Sequence, residues 1–214
     1  MATVGLIPRL ASDAAAALAR EMVRWLTAHG HQALVEEEAA VAGVPSAPGK
    51  DIAARADLLV VLGGDGTLIH AASLCNRCEV PILGVNLGTL GFLTEVPRDR
   101  AIPMLEKALR GELPVSRRLM LDVEVRHRDQ VLLTPICPHA LTQRPVVLPP
   151  SSVVQVRVAS PSEMFVTLDG TLGRPLELGE EVWIQQAKHR TLILRNPELD
   201  HFTILREKLG WGTR

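Results

Sequence analysis

The first half of the chain carries two hydrophobic rhythms in alternation. Unbroken apolar runs at residues 3–7, 58–62 and 81–85 are of the kind that forms strands buried on both faces of a parallel sheet. Between such runs, apolar residues recur every three or four positions. Ala15, Leu18, Met22, Trp25 and Leu26 share one helical face. Ser12 is placed to cap that helix, Asp13 suits its first turn, and Gly30 suits its end. Residues 31–35 read as a second strand, and Pro45, Pro48 and Gly49 mark a loop. Residues 67–74 and 97–111 read as helices. Strands alternating with helices predict a doubly wound parallel sheet.

After about residue 113 the period falls to two. Leu119, Leu121, Val123 and Val125 alternate with Met120, Asp122, Glu124 and Arg126. Val154, Val156 and Val158 alternate with Gln155 and Arg157, and Val166 and Leu168 lead into the tight-turn pair Asp169-Gly170. Residues 182–186 and 191–195 read as two further strands. Together they predict a β-rich, mainly antiparallel second domain. Five prolines between Pro135 and Pro150 keep the join irregular. Residues 198–209 read as a helix with Phe202, Leu205 and Leu209 on one face, expected to pack back on the first domain. The expected organisation is an α/β domain over 1–115, a β-rich domain over 116–196 and a returning C-terminal segment over 197–214.

Composition narrows the functional classes. With 23 basic and 24 acidic residues the formal charge is -1, which leaves no broad electrostatic footprint for nucleic acid or an anionic membrane. Aromatic content is 3%, with no tyrosine, so base-stacking platforms are not expected. No apolar run approaches the roughly 20 residues that span a bilayer. The N-terminus lacks the pattern of a signal peptide, and a cytoplasmic location is expected. Three cysteines fit a reducing compartment. Cys75 and Cys78 have the spacing of a metal pair that Cys137 and His139 could complete, but small apolar residues near a helix end are the expected reading and no metal site is expected.

The segment LVVLGGDGTLIH, residues 59–70, concentrates the chemistry. A buried strand runs into Gly63-Gly64-Asp65-Gly66, and a helix follows. Ligands bind beyond the carboxyl ends of strands in open parallel sheets. Free amides and the helix dipole favour an anion there, and glycines let it approach the backbone. Asp65 would repel a phosphate unless it has another task, such as taking a proton from an attacking hydroxyl or helping to hold Mg²⁺. Capping of the following helix is the competing explanation. The loop is neither a P-loop nor G-x-G-x-x-G. A second glycine-rich segment, Gly84 to Leu93, follows the next strand, and Phe92 could offer a base an apolar face or belong to the core.

GGDGTLIHAA followed by GVNLGTLGFLTE, with TPICPHALTQRPVVLP and LREKLGWG downstream, resembles the NAD kinase family. GGDG alone is shared with lipid kinases of the diacylglycerol and sphingosine type and, more distantly, with phosphofructokinases. The resemblance implies transfer of the ATP γ-phosphoryl group to the 2′-hydroxyl of the NAD adenosine ribose, with Mg²⁺ bridging the ATP phosphates. It places the catalytic aspartate at Asp65. It places nucleotide contacts at Gly64, Asp65, Gly66, His70, Asn86, Phe92 and Thr171. It also implies a homo-oligomer, dimer or tetramer. Relatives carry an Asn-Glu pair and a Gly-Ser-Thr loop that bind the NAD ribose and the ATP phosphates. Neither occurs in these 214 residues, and the block is expected to be absent between about Arg126 and Leu132. Low turnover, or a nucleotide-binding remnant, is the corresponding expectation.

Overall fold

A computed structural model of the chain describes residues 1–75, 79–88, 91–127, 148–149, 151–160, 164–169 and 172–209. The elements are β1 (Thr3–Pro8), α1 (Asp13–Ala28), β2 (Gln32–Glu36), β3 (Ser46–Ala47), α2 (Gly49–Arg55), β4 (Leu58–Gly63), α3 (Asp65–Leu74), β5 (Pro81–Asn86), β6 (Val96–Pro97) and α4 (Ala101–Leu109). There follow β7 (Val115–His127), β8 (Val154–Arg157), β9 (Met164–Leu168), β10 (Leu172–Leu176), β11 (Glu180–Leu194) and α5 (His201–Leu209). Two units divide them: residues 1–118 with 189 onward, and residues 119–188.

The first unit is the parallel sheet. Its strands run in the order β3-β2-β1-β4-β5, continued by β11 and β7. The pairings of β2–β3, β1–β2, β1–β4, β4–β5 and β5–β11 are all parallel. Helices cover both faces, because alternate residues of each strand point opposite ways. Val4 and Leu6 join Leu18, Met22 and Leu26 of α1 and Met104 and Leu105 of α4 in one cluster. Gly5 faces the other way. A Cβ on Gly5 would collide with Ile52 of α2 and Leu59, so a bare backbone lets α2 seat there. Burying each of these Leu, Ile and Met side chains contributes about 1.5–3 kcal/mol.

The expected helix start is present: Ser12 Oγ accepts the Ala15 N–H at 3.3 Å, and Gly30 has φ +75. Several details differ from the sequence reading, among them that Pro97 belongs to β6 and the helix expected over 97–111 is α4, Ala101–Leu109. The expected loop at 45–49 contains β3 and opens α2, whose Ile52 and Ala53 are buried. The two strands expected at 182–186 and 191–195 are the single strand β11. In α5 the buried residue is Ile204, whereas Phe202 is 63% exposed and Leu209 is exposed too, so the expected apolar face is rotated.

The second unit is antiparallel where its pairing is defined. β8 pairs β11, and β9 pairs β10 as a two-stranded sheet through a turn at Asp169, whose φ is +50. Glu181, fully buried, accepts from Gln155 Nε2 at 3.0 Å and Trp183 Nε1 at 3.1 Å. Arg174 forks onto Glu180 at 3.0 and 3.3 Å. Among the described residues, no helix is long and apolar enough to cross a membrane.

Candidate active site

The strand order sets where a ligand can enter. From β1 the chain winds to β2 and β3 on one side, and β4 and β5 lie on the other, so the order reverses between β1 and β4. Such a switch point leaves a crevice at the strands' carboxyl ends. β1 ends at Pro8 and β4 at Gly63. Arg9 follows β1 there, its N–H donating to Leu62 O at 2.9 Å. A Cβ on Gly63 would come within 3.2 Å of Arg9 Cβ.

Asp65 is the first residue of α3, and Gly64 holds the cap position without a side-chain bond. The carboxylate therefore does not cap its own helix. It reaches across to the second glycine segment. Oδ2 accepts the Phe92 N–H at 2.8 Å, and Oδ1 accepts the N–H groups of Leu93 and Thr94 at 3.0 Å each. Thr94 Oγ1 adds a bond to Oδ1 at 3.1 Å. Partial burial opposes the charge on Asp65. The hydrogen bonds from Leu93, Phe92 and Thr94 outweigh it and hold the carboxyl below the usual aspartate range.

The glycines around this clasp do different work. A Cβ on Gly91 would overlap both Asp65 Oδ1 and Thr94 Oγ1. Gly64 and Gly66 have no atom within 4 Å of where a Cβ would stand. Their surface is open, as a backbone meant to be approached by a ligand must be.

Asn86 is drawn inward. Its Nδ2 donates to Thr94 Oγ1 at 2.9 Å and its Oδ1 accepts the Gly88 N–H at 2.7 Å. A continuous chain thus runs from Asn86 through Thr94 to Asp65. Phe92 is 39% exposed, not a core residue, and the Lys208 ammonium of α5 sits 5.6 Å from its ring centroid. His70, one turn beyond Asp65, is half exposed, and its Nε2 lies 2.7 Å from Oε1 of the buried Glu36. Thr171 lies outside the described residues, as do Cys78, Cys137, His139 and the junction beyond His127. Cys75 is buried. No group of three or more His, Cys, Asp or Glu side chains is placed to hold a metal ion among the described residues.

Thr94, Arg9, Lys208 and Glu36 were not singled out from the sequence. Arg9 had a signal, since a basic residue directly after the first strand of a doubly wound sheet stands at the ligand edge. The other three are brought in by tertiary contacts that no local pattern announces.

Residues 4–113 match the family model of the ATP-NAD kinase N-terminal domain, and residues 127–196 match that of the ATP-NAD kinase C-terminal domain. An NAD kinase of Geobacter sp. (strain M21) is 33% identical over 288 aligned positions covering 100% of both chains. The chain belongs to the NAD kinase family. An NAD kinase of Geobacter sulfurreducens is 34% identical, covering 92% of this chain and 94% of its own. A crystal structure of yeast NADH kinase complexed with NADH superposes with a TM-score of 0.83 at 20% identity, covering 100% of this chain and 89% of that one. An NAD kinase from Archaeoglobus fulgidus in complex with ATP gives 0.69 at 16%, covering 97% of each. These two support the fold, and the lipid-kinase alternative finds no support among the matches. The Geobacter sp. alignment has 288 positions against 214 residues, so 74 positions face no residue of this chain.

Proposed function

We propose that this chain binds NAD and ATP at the clasped glycine segments, where the γ-phosphoryl group of ATP passes to the 2′-hydroxyl of the adenosine ribose of NAD. The Asp65 carboxylate carries this reading. Oδ1 is saturated by its bonds to residues 93 and 94, whereas among the described residues Oδ2 accepts only the Phe92 N–H. Oδ2 therefore keeps a lone pair to accept a hydrogen bond from the ribose hydroxyl. In the transfer, the hydroxyl oxygen bonds to the γ-phosphorus, the bond to the bridging oxygen breaks and ADP leaves. The hydroxyl proton goes to Asp65. A carboxyl held below its usual range is a weak base at neutral pH. Its larger contribution is to aim the hydroxyl and offset its developing charge, which is what a loose phosphoryl-transfer transition state requires.

Gly64 and Gly66 admit the ligand to the backbone, His70 contacts the dinucleotide, and Phe92 gives a ring an apolar face. Asn86 acts through Thr94, and Thr171 is assigned to the substrate side by family resemblance. A divalent cation, Mg²⁺ or another, fits as a companion of ATP, with Asp65 Oδ2 as the carboxylate oxygen at the glycine turn that could help to hold it. When bound, it would neutralise charge on the phosphate oxygens. The protein is proposed to work in the cytoplasm as a homo-oligomer.

A second reading has its own support. The Asn-Glu pair and Gly-Ser-Thr loop are missing from the sequence, and we place that missing block between about Arg126 and Leu132. Binding with little turnover is the outcome this favours. Calorimetry with NAD and with ATP, beside a coupled assay for NADP, tests both. Binding of neither nucleotide overturns the proposal, and binding without NADP formation selects the second reading.

A further inference from the structure

Glu36 ends β2 at the head of an acidic run. Glu37 and Glu38 beside it are exposed, but Glu36 is 2% exposed. A buried carboxylate is costly unless partners compensate it. Among the described residues, its Oε2 has no hydrogen-bond partner, and its Oε1 meets His70 Nε2 at 2.7 Å. Room for it is built in: a Cβ on Gly49 would stand 2.5 Å from Oε1 and 2.9 Å from Leu74 Cδ1. The carboxylate is thus fixed from behind while the imidazole it holds is half exposed on α3. The mechanism proposed above makes no use of Glu36.

We propose that Glu36 is the positioning residue for His70, locking the imidazole with Nε2–H directed inward and the Nδ1 edge directed to the dinucleotide. The premise is the nucleotide contact assigned to His70 above. A carboxylate acceptor opposite Nε2 requires the hydrogen there, which fixes the tautomer and the ring plane together. The same arrangement orients histidine ligands in metal sites, where a carboxylate on the far nitrogen sets the working one. An imidazole free to rotate would present either nitrogen and would lose conformational freedom on binding. His70 therefore enters the site with its orientation already set.

The test reads the imidazole directly. The nitrogen resonances of the 7 histidines are recorded in ¹⁵N-labelled full chain, and His70 is assigned by its disappearance in His70→Asn. The expected wild-type signature is a bonded Nε2–H and an Nδ1 that shifts on titration with NAD. Glu36→Gln should mix the tautomers and weaken NAD binding about 3- to 10-fold. In a His70→Ala background the same change should alter binding less than about twofold. Gly49→Ala, which keeps the carboxylate but displaces it, should reproduce the effect and serves if Glu36→Gln does not fold. Unchanged His70 resonances and NAD affinity in both variants would overturn the proposal. An equal loss of affinity without His70 would also overturn it. A Glu36-dependent tautomer in a wild-type protein that binds no NAD would overturn the ligand half, together with the function on which it depends.

Discussion

Asp65 and Thr94, 29 residues apart, are joined twice: the Thr94 N–H and its hydroxyl both donate to Asp65 Oδ1. The residue that resemblance marks as catalytic is therefore also the clasp that joins the two glycine segments. Asp65→Asn replaces an acceptor oxygen by an NH₂ group facing backbone donors. It should remove any NADP formation and also destabilise the fold by about 1–3 kcal/mol. Chemical denaturation alongside the assay checks both effects. Full stability with lost activity would show that the clasp contributes little.

The low-lying Asp65 carboxyl has a defined pH signature. Its folded value is depressed, so its contribution is fully present above the ordinary aspartate value of 3.8 and is lost as pH falls below that, through the folded value. The stability difference between wild type and Asp65→Asn should be flat from about pH 5 to about pH 8 and shrink in more acid solution. A difference that already fell between pH 8 and 5 would contradict the assignment.

The glycines should separate fold from function. Gly91→Ala must push aside Asp65 or Thr94 and should cost about 1–3 kcal/mol. Gly64→Ala meets open space and should change stability by no more than about 0.5 kcal/mol. Gly66→Ala, inside α3, should stabilise by up to about 1 kcal/mol. Both should weaken NAD or ATP binding at least about tenfold, because the added methyl occupies ligand space. Thermal melts and calorimetry on the three variants decide the matter.

Turnover is expected to be at least about 100-fold below that of a full-length relative such as the Geobacter sp. enzyme, because phosphoryl transfer depends on positioning and small misplacements cost that much. Side-by-side NADP assays measure the ratio. A ratio near one would mean that other residues replace the missing segments.

Much of the parallel sheet was legible because buried strands and amphipathic helices carry their own periodicities. α2 was missed because it opens at Gly49 behind Pro48 and anchors only Ile52 and Ala53 among its ionic residues. β11 was split in two because its middle, Lys188-His189-Arg190, is polar and largely exposed, which breaks the alternation without ending the strand. In the site, GGDG announced a carboxylate at a phosphate-friendly turn but not its partners. Glu36 looked like one more member of an acidic surface run. Its burial against His70, 34 residues away, comes from the packing of α2 and α3, which no short window contains.

The second unit yields a prediction about association. Phe165, 68% exposed, and Met164 sit on β9, which pairs only with β10 among the described residues. Exposed apolar residues on an unfinished sheet promote self-association. Sedimentation of Phe165→Lys should show a smaller assembled fraction than wild type at equal concentration. An unchanged distribution would place the contact elsewhere.

Glu95, directly after Thr94, is buried, and its partners come late in the chain. The Asn196 N–H donates to it at 3.0 Å across 101 residues, and Arg195 Nε lies 2.5 Å from Oε1 as an ion pair without an aligned hydrogen bond. During synthesis, the segment carrying Phe92, Leu93 and Thr94 is therefore made long before the cation that neutralises its base. The residues of β1, β4 and β5 are all made early, but Glu95 gains these partners only once residues 195 and 196 have been made. A product released before residue 195 would therefore carry Asp65 beside a loop that lacks these two partners.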